Sequence, residues 1–196
     1  SVPVVAFSVL MVLVFALAAV SLEKHAAYAE VYSPCRQDLA FSLLGAAGLI
    51  AGCALDFRGS VFRMLISLLG LLAGFGLGAA AVLRQKGQKP SAAFYVFAVL
   101  FYVAKLFRDF RHWEINPAIG DYCFSLFAMI SFMLASYHAG AFSFDRGARR
   151  RRAFFSLTGV LFGAISLAGA GLSELLIYAG SLFWMLACAQ QMMKKP

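Results

Sequence analysis

The chain has 196 residues, of which 62% are hydrophobic and only 13% are charged, and its mean hydropathy is +0.82. A soluble domain carries about a quarter charged residues, so this composition excludes a soluble globular protein. The net charge of +8 does not point to nucleic acid as a partner, because the basic residues flank long apolar segments. That placement is typical of the loops of a membrane protein.

Seven apolar segments are long enough to cross a bilayer, since a spanning helix needs about 20 mostly apolar residues. They are residues 2–21, 38–57, 62–83, 92–110, 118–143, 153–169 and 174–193. The prolines support these boundaries, because a proline at a helix start removes no helical hydrogen bond; they are Pro3, Pro34, Pro90 and Pro117. Residues 169–173 predict a tight hairpin that ends on Ser173 as a helix cap. The sequence therefore predicts an all-α, polytopic transmembrane helix bundle, a single domain over residues 1–196 that lies in the cell membrane.

Loop charges predict the orientation of this bundle. One side holds twelve basic residues, which are Lys24, Arg36, Arg84, Lys86, Lys89, Arg146, Arg149, Arg150, Arg151, Arg152, Lys194 and Lys195. The other side holds five, which are Arg58, Arg63, Lys105, Arg108 and Arg111. The positive-inside rule then places the C-terminus in the cytoplasm and the N-terminus outside. We expect the run Arg149, Arg150, Arg151 and Arg152 to contact anionic lipids at the cytoplasmic face, or a partner.

A short motif recurs in the chain and indicates an internal repeat. Residues 41–45 (FSLLG) and 155–159 (FSLTG) each open a span shortly after a histidine. Two parallel three-helix units, residues 1–83 and 117–193, would then be joined by a linker helix at 92–112. This three-plus-one-plus-three layout is similar to that of SWEET-type sugar carriers. The prolines here start helices instead of lying within the bundle, so no functional residue is carried over from that family.

The fourth span ends in a charged face, which is the strongest candidate site. Lys105, Arg108, Asp109 and His112 recur at positions i, i+3, i+4 and i+7, so they share one side of a helix. One interpretation is that they reach the membrane interface beside Trp113. The other is that they form the rim of an aqueous solute cavity, completed by Glu114, Asp121 and Glu174. A rim of mixed sign suits a zwitterionic or polar solute.

Motifs for enzymatic chemistry are absent from the sequence. It has no HExxH, GxSxG or phosphate-binding glycine loop. Its four cysteines occur singly, with no spacing typical of a metal site. We therefore expect no enzyme activity, no metal and no cofactor.

Two classes of function remain. The favoured prediction is a small polar-solute transporter, or the membrane substrate-binding subunit of one; the alternative is a membrane sensory, interaction or scaffold protein without transport activity. Small residues at GxxxG spacing, at 48–52, 70–74, 74–78 and 159–163, predict close helix packing within the chain. The same spacing also allows a homo-oligomer or a partner membrane subunit.

Overall fold

The computed structural model describes residues 2–24, 28–32, 35–57, 59–113 and 119–193. Over these ranges the chain is helical, without strands, and confirms the predicted all-α class. The helices are α1 (Val2–Val20), α2 (Tyr28–Val31), α3 (Arg36–Leu55), α4 (Val61–Gln85), α5 (Ala93–Trp113), α6 (Ile119–Phe142), α7 (Arg149–Ser166) and α8 (Leu172–Met193). Each predicted span has its helix. The helix boundary that differs most from its prediction is the start of α7. It lies at Arg149 instead of residue 153 because the arginine run is itself helical.

Five helices are long and apolar enough to cross a membrane: α1, α3, α4, the Tyr122–Phe142 part of α6, and α8. The protein is therefore a helical membrane protein. Helices α5 and α7 carry more charge, at the C-terminal end of α5 and in the arginine run of α7. Seven crossings, the orientation and the cell membrane as location stay predictions.

The six helices α3 to α8 form a closed ring. Each packs against the next along the chain, and α8 packs back against α3, while α1 lies outside the ring against α7. Successive helices are antiparallel, so the ring has two ends. We call the end with the start of α3 and the ends of α4, α6 and α8 the basic end, and the opposite one the ion-pair end. On the predicted orientation the basic end is cytoplasmic.

Glycines allow α3 and α8 to touch backbone to backbone. A Cβ on Gly48 would lie 2.7 Å from Gly180 Cα, and a Cβ on Gly45 would lie 2.8 Å from the Gly180 carbonyl oxygen. In a bilayer, helix association depends on such close packing because lipid supplies little hydrophobic drive. Gly70 and Gly74 likewise face α3, and Gly159 and Gly163 face Phe132 of α6. These glycines pack within the chain, as predicted.

The connection between α7 and α8 differs in detail from the predicted hairpin. Helix α8 starts at Leu172, so Ser173 lies inside it and does not cap it. Its hydroxyl instead donates to the carbonyl oxygen of Gly52 at 2.9 Å and joins α8 to α3. The turn lies before the helix, where Gly169 has a φ of +89°, a value that glycine adopts without strain.

Cysteine labelling tests the predicted orientation. In a variant without native cysteines, we expect a thiol at Lys86, exposed at the basic end, to be protected from an impermeant reagent in intact cells. A thiol at Ser60, exposed at the ion-pair end, should react. Both positions follow from the positive-inside rule. Gly147, also at the basic end, would be a poor site for a cysteine, because its Cβ would overlap the Phe142 ring. Labelling at Lys86 and protection at Ser60 would contradict the predicted orientation.

Candidate functional site

Four charged side chains form a chain of ion pairs at the ion-pair end. Arg108 bonds Asp56, the residue that follows α3, at 2.6 Å and Asp109 at 2.9 Å. Asp109 also bonds Lys105 at 2.7 Å, and the Lys105 ammonium lies 5.8 Å from the centre of the Tyr178 ring. Lys105 is only 1% exposed. Interfacial snorkelling of Lys105, one of the two interpretations of this face, is therefore wrong, because the side chain points into the bundle.

A cavity of about 390 Å³ opens beside this network. All six ring helices, or the residues next to their ends, contribute to its wall; the polar lining residues are Asp56, Arg63, Arg108, Asp109, Tyr122, Ser125, Ser166, Glu174 and Tyr178. The cavity therefore lies on the axis of the ring. Its lining holds three carboxylates and two guanidiniums, the mixed charge that the sequence predicted for a solute cavity.

The candidate rim residues fall into two groups. Arg108 and Asp109 line the cavity, and Lys105 lies behind Asp109 as its ion-pair partner. Glu114 lies outside the described residues, and so do the side chains of His112 and Asp121. Their part in a solute site stays a prediction.

Six polar residues of the cavity wall were not singled out as site residues from the sequence; they are Asp56, Arg63, Tyr122, Ser125, Ser166 and Tyr178. Asp56 ends the second predicted span two residues before Arg58, a position typical of an interfacial residue, yet it binds Arg108, 52 positions along the chain. Arg63 and Tyr178 line the cavity from α4 and α8. A signal for Asp56 was present, since it and Arg108 end two spans at the same predicted depth with opposite charge. Arg63 and Tyr178 had no such signal.

Buried aromatic side chains lie between the cavity and the basic end. The Tyr102 hydroxyl is hydrogen-bonded to Ser181 at 2.9 Å, and both residues are buried. Nearer the basic end, Tyr95 and Trp184 lie with ring centres 6.3 Å apart and are also buried. These buried side chains fill the bundle between the cavity and the basic end.

A second buried polar cluster lies at the basic end. Arg84 and Arg152 both donate to the side-chain oxygen of Gln191, at 3.1 and 3.3 Å. Both guanidiniums lie within 5.3 Å of the centre of the Tyr32 ring, a distance at which cations are attracted to aromatic faces. Within the described part of the chain, neither forms an ion pair with a carboxylate.

The sequence predicted that the four consecutive arginines contact lipid or a partner together. In the structure they do not form one exposed patch. Arg149 is 5% exposed and Arg152 is 0% exposed, while Arg151 is exposed and Arg150 half-buried. Positions three apart share a helix face, so Arg149 and Arg152 turn together into the bundle. Arg149 donates to the carbonyl oxygen of Met192 at 2.8 Å. Only Arg150 and Arg151 stay available for a lipid or partner.

Comparison with known proteins adds no family to this picture. No family model, no curated protein and no solved structure matches the chain. Among the described residues, no group of three His, Cys, Asp or Glu side chains could hold a metal ion. The interpretation of the site therefore depends on its own geometry.

Proposed function

We propose that this protein binds a small zwitterionic solute in the cavity at the ion-pair end, as a solute carrier or as the membrane substrate-binding subunit of one. The observation that carries the proposal is the axial cavity, walled by all six ring helices and lined by charges of both signs. A purely structural ion pair does not need a cavity of about 390 Å³ beside it. A free amino acid has the size and charge distribution that such a cavity accommodates.

Glu174 is the group that would bind the ammonium of the solute. Its carboxylate is 3.8 Å from Lys105 and 3.9 Å from Arg108, longer than a hydrogen bond, and its side chain is 48% exposed. It can therefore accept a new donor without breaking a tight pair. Arg63, exposed at the start of α4, would bind the carboxylate of the solute.

Asp56 and Asp109 have a different role in this proposal. Both carboxylates are already bound to Arg108, at 2.6 and 2.9 Å. They hold its guanidinium in place and keep the local charge balanced when a neutral zwitterion binds. A solute with a single net charge would upset that balance, so we expect zwitterions to be preferred.

The binding test uses purified protein in detergent and a panel of free amino acids, with acetate, ammonium and glucose as comparisons. An amino acid that binds should raise the unfolding temperature, since a ligand at 100 times its Kd stabilises the folded state by about 2.7 kcal/mol. Glu174→Gln should weaken that binding by roughly tenfold or more, because a hydrogen bond to a charged group contributes about 1.5–3 kcal/mol. Asp145→Asn, at the basic end, should leave binding unchanged. If no amino acid stabilises the protein more than acetate or ammonium does, the proposal is wrong.

Transport distinguishes a carrier from the alternative of a scaffold or sensory protein. The hydrogen bond between Tyr102 and Ser181 and the ring of Trp184 block the axis between the cavity and the basic end, so release on the other side requires these groups to move apart. A carrier reconstituted in proteoliposomes should accumulate the amino acid identified by the stability test. Binding without uptake by the chain alone would favour a binding subunit or a sensor.

A further inference from the structure

Two grooves flank Arg150 and Arg151 at the basic end. The larger, of about 880 Å³, runs between α5 and α6. Its apolar wall includes Val96, Leu100 and Tyr137, which are about half exposed or more. The groove therefore opens sideways, towards the region that lipid chains occupy around a membrane bundle.

The smaller groove, of about 610 Å³, lies between α1, α6 and α7. Its wall is formed mainly by Ala16, Val20, Leu134 and Phe154. Four residues line both grooves, which are Tyr137, His138, Arg150 and Arg151. The two apolar channels thus meet at one pair of guanidiniums.

Basic side chains surround this meeting point. Lys24 and Arg146 line the larger groove together with Arg150 and Arg151, and no acidic residue of the described chain lines either groove. Among the acids at this end, Asp145 is bound to Lys89 at 2.6 Å, and Glu23, next to Lys24 in the chain, lines neither groove. Arg150 is fixed in place because its Nε donates to the carbonyl oxygen of Leu22. This rim complements an anion, in contrast to the charge-balanced cavity at the other end.

We propose that this double groove is a binding site for one anionic diacyl phospholipid, with the phosphate at Arg150 and Arg151 and one acyl chain in each groove. Guanidinium groups bind phosphate oxygens through paired hydrogen bonds, and basic pockets between helices on the cytoplasmic side bind anionic head groups. Two apolar channels that diverge from one cationic point match a lipid with two chains. A free phosphate would use neither channel.

The test compares dioleoyl phosphatidylglycerol with dioleoyl phosphatidylcholine, both added to delipidated protein and counted by native mass spectrometry. Wild-type protein should retain the anionic lipid preferentially. Arg150→Gln with Arg151→Gln should reduce that preference roughly 30-fold, since each basic residue near an anionic head group contributes about a fivefold effect. Arg36→Gln with Lys86→Gln removes the same charge from exposed positions at the same end, away from both grooves, and should change little. If both pairs reduce the preference equally, binding is a general surface effect and the proposed site is wrong.

Two further variants test the basic rim and the larger acyl channel, and both leave Arg150 and Arg151 unchanged. Lys24→Gln with Arg146→Gln leaves the bond from Arg150 to Leu22 intact and should still weaken retention. Gly140→Leu fills the larger groove without changing its charge, and its Cβ meets only Tyr95, at an ordinary 3.4 Å; it should also reduce retention. Glycerophosphoglycerol, the head group without chains, should not compete at the same concentration. Equal competition, or full retention in Gly140→Leu, would overturn the assignment of a diacyl lipid.

Discussion

Asp109→Asn is expected to lower the free energy of unfolding by about 3–5 kcal/mol, the usual effect of removing one partner from a buried ion pair. Lys105 is 1% exposed and would keep as carboxylate partner only Glu174, at 3.8 Å. Its ammonium could neither reach water nor form a short bond to a carboxylate. Chemical denaturation in mixed micelles, followed by tryptophan fluorescence, measures the change.

A double-mutant cycle separates the ion pair from other effects of the substitution. Lys105→Met removes the stranded charge, so the double variant with Asp109→Asn should be more stable than Asp109→Asn alone. In Lys105→Met by itself, Asp109 keeps Arg108 at 2.9 Å, so the loss should be smaller. Asp145→Asn is the matched control, because its pair with Lys89 is exposed (64% and 36% side-chain exposure) and should contribute less than about 1 kcal/mol. Equal losses in Asp109→Asn and Asp145→Asn would show that Lys105 is hydrated.

Asp109 is a poor position at which to test solute binding in the cavity. From the sequence alone, Asp109→Asn is the natural substitution to weaken solute binding, because Asp109 lies on the charged face of its helix. In the structure Asp109 also neutralises a buried lysine, so the same change would disturb the fold. Glu174 touches the cavity without a tight partner, and Glu174→Gln therefore separates binding from stability.

Gly180→Ala should destabilise the bundle by about 2–3 kcal/mol. The added Cβ would lie 2.6 Å from the backbone nitrogen of Leu49 and 2.8 Å from the carbonyl oxygen of Gly45. These are backbone atoms of α3, so the whole helix would have to move, and overpacking of this kind costs about 1–3 kcal/mol or more. Thermal unfolding in detergent would detect the change.

Gly78→Ala is the control for that substitution. It makes the same chemical change within a helix, but its Cβ would meet only the Ala46 Cβ, at 3.5 Å, an ordinary contact. Alanine is favoured over glycine inside a helix by about 1 kcal/mol, so Gly78→Ala should be neutral or stabilising. A loss in Gly78→Ala equal to that in Gly180→Ala would contradict the close backbone contact between α3 and α8 at Gly180.

The helices themselves could be predicted from the sequence. An apolar run of about 20 residues has few alternatives in a membrane, because every backbone N–H and C=O must be bonded within the segment. That requirement is local, which is why residues 62–83 predict α4 and residues 174–193 predict α8 within a few positions. The charged face of α5 could be predicted for the same reason, since its members share one side of a single helix.

The partners of these charges depend on contacts between distant segments of the chain. Asp56 and Arg108 are 52 positions apart, and nothing near either residue specifies the other. Arg149 and Arg152 turn inward while Arg150 and Arg151 face the grooves, although the four are identical in type. In a bilayer both faces of a helix are apolar, so periodicity does not distinguish the packed side from the lipid side. The amino-acid sequence is therefore enough to predict a helical membrane protein with charged helix ends. The closed ring, through contacts between distant segments, determined which charges are buried, paired or open to a ligand.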